Sequence, residues 1–231
     1  MNIKISKYYN KKQAENYETS RNNPTWHAES KIFNEIKNRI KSKHNKYMDI
    51  LDVGAGTGRW IPDLYNVASK YVGTDISKNM LDQARLKLEQ CPNEFQKNVN
   101  LINSSIEQLP LHVTGRFDLI IMTRFLSHFS IAEIKNILKI IHKYSKSDLV
   151  VSFRVADKKL SILSEILDLI IKSPIGAIKR FRKSGRLSYT RLDTDYENVI
   201  LECGFSIIRK NLVINDKYNR YEYWELTTQG K

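Results

Sequence analysis

Leu51-Asp52-Val53-Gly54-Ala55-Gly56-Thr57-Gly58 carries a short apolar run straight into three alternating glycines, with a helical segment behind them. The run begins at Met48 and reads as a buried strand. Glycine lets the backbone turn sharply there and lets a ligand approach where a side chain would block it. The exposed N–H groups of such a turn can hold polar ligand atoms. A second apolar strand, Tyr71-Val72-Gly73-Thr74-Asp75, ends in an acid about 20 residues beyond Gly54, where a carboxylate can accept hydrogen bonds from both hydroxyls of a ribose. Ile76 and Met80 follow and can cover an adenine face. The spacing Gly-x-Gly-x-Gly departs from the dinucleotide fingerprint at the place where a pyrophosphate would sit. The competing interpretation is a tight turn without a ligand.

Outward from the glycines, strands continue to alternate with helices. Val99–Asn103, Phe117–Met122 and Leu149–Phe153 are the third, fourth and fifth strands. Helical spacing joins Met80, Leu81, Ala84 and Leu88, and again Ile131, Ile134, Ile137, Leu138 and Ile141. This alternation predicts an α/β protein with a parallel sheet covered on both faces. Thr194–Cys203 reads as a last helix stopped by Gly204. Phe205–Ile214 and Arg220–Thr227 follow as two strands whose short connection requires an antiparallel hairpin. Upstream, Lys11–Tyr17 and a helix from Pro24 make residues 1–45 an N-terminal helical cap, and residues 46–231 form the main domain. The stretch 158–192 is too long for a plain crossover and is expected to be an inserted lid.

With 231 residues, a 41% hydrophobic share and a 27% charged share, the chain suits one soluble domain with its own core. Its two cysteines, Cys91 and Cys203, exclude a disulfide scaffold and fit a reducing compartment. No signal peptide or membrane span is expected, which places the chain in the cytoplasm. No metal site is read. Lys and Arg number 38 against 25 acids, a net charge of +13, which asks for an anionic partner or else reflects a lysine-rich composition.

The sequence resembles the class I S-adenosylmethionine-dependent methyltransferases. The matching pieces are LDVGAGTG at Leu51–Gly58, GTDIS at Gly73–Ser77, SIEQLPL at Ser105–Leu111 and FDLIIM at Phe117–Met122. The resemblance implies a Rossmann-like doubly wound sheet of seven strands in the order 3-2-1-4-5-7-6 with strand 7 antiparallel, here with a helical insertion between strand 5 and the last helix. It implies S-adenosyl-L-methionine as cofactor. Asp52, Gly54, Ala55 and Gly56 would lie beside its amino-acid part, Asp75 at its ribose, Ile76 and Met80 at its adenine, and Thr123 toward its methionine end. Ser105 stands where many members have an acid near the adenine amine, with Ile106 beside it. The N-terminal segment resembles the family's entry helix. Tyr9, Tyr17 and Trp26 are its aromatic candidates, and Arg21 would meet the cofactor carboxylate unless it is a solvated surface group.

Acceptor residues are expected above the carboxyl ends of the strands. Arg124 and Arg154 stand there, and a buried guanidinium needs a partner. A small anionic acceptor bearing a carboxylate or phosphate would supply it; Asp118, Asp157 or another local acid is the alternative. His128 is the candidate base, against a packing or capping role, with Arg124 beside it. Tyr17, Trp26 and Tyr189 complete the acceptor wall. Seven cations and no acid lie between Lys172 and Arg191, so nucleic acid is a second acceptor class. A non-catalytic cofactor-binding protein is a third reading. The apolar helix Leu160–Ile171 reads as a lid, a homodimer contact or a peripheral membrane contact.

Overall fold

The computed structural model describes residues 9–17, 19, 23–156, 191–215 and 219–228, with Asn219 described by its backbone alone. Fifteen labelled elements follow one another in the chain. These are α1 (Lys11–Glu15), α2 (Pro24–His44), β1 (Met48–Val53), α3 (Ile61–Leu64), β2 (Ala68–Asp75), α4 (Lys78–Leu88), α5 (Asn93–Gln96), β3 (Val99–Asn103), α6 (Leu109–His112), β4 (Phe117–Met122), α7 (Ile131–Tyr144), β5 (Ser145–Ala156), α8 (Asp193–Glu202), β6 (Phe205–Asn215) and β7 (Asn219–Thr228).

The sheet runs β3-β2-β1-β4-β5-β7-β6, the order implied by the resemblance. β1 pairs in parallel with β2 and β4, and β4 with β5. β7 lies antiparallel between β5 and β6, with Val151 opposite Trp224. Every residue of β4 is buried, because helices cover both faces of a parallel strand. On one face Ile134, Ile137, Leu138 and Ile141 of α7 join Tyr196, Val199 and Ile200 of α8. On the other, Phe33, Ile36 and Ile40 of α2 pack with Trp60, Ile61, Leu64 and Ala84.

Local sequence sets the helix ends. Asn23 caps α2 by accepting from the Trp26 N–H, Pro24 sits at its first position, and Asn45 ends it in the left-handed region. Ser130 and Glu133 form a capping box at the start of α7. Phe33, Ile36 and Ile40 of α2 belong to the sheet core, while Tyr9, Tyr17 and Trp26 line the cavity described below.

Four strands are longer than expected: β2 starts at Ala68, β5 spans Ser145–Ala156 and β6 ends at Asn215. β7 starts at Asn219. The expected lid, apart from Arg191 and Leu192, lies outside the described residues, as do its helix Leu160–Ile171, Asp157 and Tyr189. The chain re-enters at Arg191, which forms a parallel bridge with Val155 beside β5. The Arg191 guanidinium donates to the Phe129 carbonyl at 2.9 Å. Among the described residues no helix is long and apolar enough to cross a membrane.

Candidate functional site

The glycine turn at the end of β1 has the backbone its residues suggest. Gly54, Gly56 and Gly58 all have positive φ, at 74°, 58° and 68°. A Cβ on Gly54 would fall 2.5 Å from the Phe125 ring, so the turn and the chain after β4 approach too closely for any side chain. The Gly54 and Ala55 N–H groups both donate to the Thr74 carbonyl of β2, at 2.8 and 2.9 Å. The Gly56 N–H donates to Asp75 Oδ2 at 2.9 Å, and the Ser77 N–H to Oδ1 at 2.8 Å.

A cleft opens above this turn. Its walls include Asp52, Gly54, Ala55, Gly56, Asp75, Ile76, Met80, Ser105, Ile106 and Thr123. All the expected cofactor residues except Arg21, which lies outside the described residues, are therefore brought together. Trp26, Arg59, Trp60 and Arg124 gather at a second end of the lining, and Tyr9, Tyr17, Phe125, His128 and Phe129 complete it. Tyr9, Tyr17 and Trp26 follow one another in edge-to-face contacts at 5.8 and 6.4 Å between centroids. The Tyr9 carbonyl accepts from Ser77 Oγ and Asn79 Nδ2, anchoring this aromatic rim on α4.

Two acids at the first end are unusual. Burial pushes Asp75 up to about 6, against the two backbone N–H groups that favour its charge. Burial pushes Asp52 up to about 7, opposed by the hydrogen bond from the Tyr71 hydroxyl at 2.8 Å and reinforced by the charge of Asp75.

At the acceptor end the structure corrects the expectation for the arginines. The partner of Arg124 is Glu29 of α2, a carboxylate with no solvent exposure. Arg124 Nε donates to Glu29 Oε2 at 2.9 Å, and Nη2 to Oε1. Arg59 also pairs with Glu29, and Tyr223 Oη donates to it at 3.3 Å. Asp118 is not involved. It accepts from Lys46 and the Asp49 N–H at the opposite end of the strands. Arg154 is exposed on β5 and does not line the cleft, because it sits further along the strand than the site.

Arg124 itself has φ +55, rare for a residue with a side chain, and its N–H donates to Ser152 Oγ at 2.6 Å. The Arg59 guanidinium lies 3.4 Å over the Trp26 ring and 4.3 Å from the Trp60 ring centre. Trp60 stacks on Phe33 at 3.8 Å and donates to Thr123 Oγ1 at 2.8 Å. His128 closes a single 3₁₀ turn after β4, where the side chain reaches the cleft wall.

Glu29, Arg59, Trp60, Tyr71 and Ser152 carried no expected role. For Glu29 a signal existed: it shares one helical face with Phe33, Ile36 and Ile40, and a carboxylate on an apolar stripe requires a buried partner. For the others the pairing is made between strands and loops far apart in sequence.

Residues 50–148 match the family model described as a methyltransferase domain. An uncharacterised protein of Haemophilus influenzae is 33% identical over 144 residues, covering 62% of this chain and 54% of the relative. The demethylmenaquinone methyltransferase of Lactococcus lactis is 36% identical over 76 residues, 32% of this chain and 29% of that one. The chain thus matches about half the length of the first curated relative and less than a third of the second. The crystal structure of the magnesium protoporphyrin IX methyltransferase of Synechocystis with bound SAH superposes with a TM-score of 0.74 at 15% identity, over 97% of this chain and 98% of the other. At that identity the likeness concerns the fold. The matched segment contains the glycine turn, Asp75 and the end of β4, so the part of the chain that builds these features is the part similar to a methyltransferase domain.

Proposed function

We propose that this protein binds S-adenosyl-L-methionine in the cleft and transfers its methyl group to an oxygen or nitrogen of a small anionic acceptor. The observation that carries the cofactor half is the Asp75 carboxylate, which lines the cleft and accepts the Gly56 N–H of the glycine turn. The donor set fits the cofactor. Each Asp75 oxygen takes one backbone N–H and keeps acceptor capacity for a ribose hydroxyl. Ile76, Met80 and Ile106 offer apolar cover to an adenine, and Ser105 lies at its edge. Asp52, Gly54 and Gly56 line the part of the cleft where the amino-acid end would lie.

When bound, the cofactor supplies a methyl group made electrophilic by its sulfonium. The protein's task is alignment, which can supply roughly 7–11 kcal/mol of the barrier. Thr123 and Phe125, directly after β4, line the cleft beside the glycine turn. The aromatic rim of Tyr9, Tyr17 and Trp26 covers the cleft and keeps water from the reacting groups. An imidazole nitrogen of His128 takes the proton of an acceptor that arrives protonated. The anionic character of the acceptor rests on the net charge of +13 and on Arg124 in the cleft wall.

The test is calorimetry with S-adenosylhomocysteine, followed by incubation with methyl-labelled cofactor and separate panels of small carboxylates, small phosphates and transfer RNA. Heat with the nucleoside and label on a small acid are expected. Absence of heat with the nucleoside overturns the cofactor assignment. Label on RNA alone overturns the acceptor assignment.

A further inference from the structure

Glu29, Arg59 and Arg124 form a charge cluster in the wall of the acceptor end, and its balance is uneven. Two guanidiniums share one carboxylate, leaving one positive charge. The other acids of the cleft wall, Asp52 and Asp75, take their hydrogen bonds from Tyr71 and from the N–H groups of Gly56 and Ser77, and among the described residues neither pairs with these arginines.

The two arginines are used differently. Arg59 is sandwiched by Trp26 and Trp60, and its Nη atoms go to Glu29, the Trp26 carbonyl and Ser30 Oγ. It steadies Glu29 from within the wall. Arg124 spends Nε and Nη2 on Glu29, and among the described residues its Nη1 has no hydrogen-bond partner. Its side chain keeps 25% of its surface exposed. Its backbone is fixed in the left-handed region by the bond to Ser152, so the guanidinium is held at both ends.

Resting on the methyltransferase reading above, we propose that this cluster is a docking subsite for a planar, carboxylate-bearing acceptor, with Arg124 Nη1 making the contact and Glu29 acting as the positioning residue. One unbalanced positive charge matches a carboxylate monoanion better than a phosphate dianion. The flanking Tyr17, Trp26, Phe125 and Phe129 provide flat apolar walls for the body that bears the carboxylate. Glu29 orients the arginine, and its removal is expected to weaken anion binding even though the wall becomes more positive.

Benzoate, benzamide and inorganic phosphate serve as probes, titrated by calorimetry into the full chain saturated with S-adenosylhomocysteine. Benzoate is expected to bind, with benzamide and phosphate at least about tenfold weaker, the worth of one charge-assisted hydrogen bond. Arg124→Gln and Glu29→Gln are each expected to weaken benzoate by about tenfold. Arg124→Lys and Glu29→Asp recover part of that loss. Circular dichroism and affinity for methylthioadenosine, which lacks the amino-acid end, report that each variant is folded. Equal binding of benzoate and benzamide, or unchanged benzoate affinity in Arg124→Gln, overturns the subsite. Tighter benzoate binding in Glu29→Gln overturns the positioning role. Benzoate that binds the ligand-free chain and the chain saturated with methylthioadenosine, but not the chain saturated with S-adenosylhomocysteine, assigns Arg124 to the cofactor's own carboxylate, and so overturns the acceptor assignment. No binding of S-adenosylhomocysteine to the unaltered chain is the failure of the methyltransferase reading itself.

Discussion

The carboxylate of Asp75 accepts the backbone N–H of Gly56 at 2.9 Å, so the acid that ends β2 braces the glycine turn that ends β1. One side chain thus shapes the loop and faces the cleft that the loop lines. Replacing it with alanine removes both functions. Asp75→Ala is expected to weaken S-adenosylhomocysteine by at least about hundredfold, because two hydrogen bonds to a charged acceptor are lost at roughly 1.5–3 kcal/mol each. Calorimetry checks this, and an affinity within threefold of the unaltered protein would remove Asp75 from the ribose site.

The same acid makes binding depend on pH. Its pKa is raised to about 6, and the ionised form is the one that accepts two hydroxyl hydrogen bonds. Affinity for S-adenosylhomocysteine is expected to be flat above about pH 7 and to fall toward tenfold per pH unit below 6. Stability of the ligand-free protein runs the other way. Asp75 and Asp52, at about 6 and about 7, hold protons in the folded chain that an unfolded carboxyl, near 3.8, has already released. Their contribution is therefore present below about pH 4 and is lost as pH rises through 6 to 7, at up to about 1.4 kcal/mol per pH unit for each group. Replacing both acids by asparagine should flatten that part of a denaturation-against-pH profile. An unchanged profile in the double variant would mean that neither acid titrates in this window.

Much of the fold was legible because its signals are local. Gly54, Gly56 and Gly58 follow an apolar strand, and all three take the left-handed conformation that glycine tolerates. The run Phe117–Met122, apolar apart from Asp118, is buried throughout, as a strand in a covered parallel sheet must be. Gly204 ends α8 with φ +81, as a helix stop of that kind requires. The cofactor end was legible for the same reason: its residues sit at fixed offsets from the first two strands. The acceptor end was not. Arg124 meets Glu29 across 95 residues of chain, and Arg59 meets it across 30. No spacing rule connects a residue in the middle of α2 to the end of β4. Arg154 was misplaced because β5 runs to Ala156, so a residue expected past the strand end lies within the strand.

Gly54 offers a test of the turn that does not involve charge. Its φ is +74°, and the Phe125 ring lies 2.5 Å from where a methyl group would stand, which leaves no accommodation for alanine. Gly54→Ala is expected to cost about 1–3 kcal/mol of stability from the left-handed backbone and the forced displacement of Phe125. The displaced ring narrows the cleft, so S-adenosylhomocysteine affinity should fall as well. Alanine at Gly115, which also has positive φ but has nothing within 4 Å of its Cβ position, provides the control for backbone strain alone. If the two variants lose equal stability and Gly54→Ala keeps its ligand affinity, the close approach to Phe125 has no functional weight.

Tyr71 lies on β2 one strand away from Asp52, and its hydroxyl is the hydrogen bond that restrains the rise in the pKa of that buried acid. Removing the hydroxyl leaves the burial and takes away the donor. Tyr71→Phe is therefore expected to move the Asp52 titration above about 7 and to extend the stability loss to higher pH. The direct cost in stability should be near 1 kcal/mol at pH 5, where Asp52 is protonated, and larger at pH 8, where an ionised carboxylate is left buried with one fewer donor. Carboxyl carbon chemical shifts of Asp52, followed from pH 4 to 9 in both proteins, measure the displacement. A titration that stays in place or moves down in Tyr71→Phe would show that the hydroxyl does not stabilise the charged form of Asp52, and that the interstrand pair contributes packing alone.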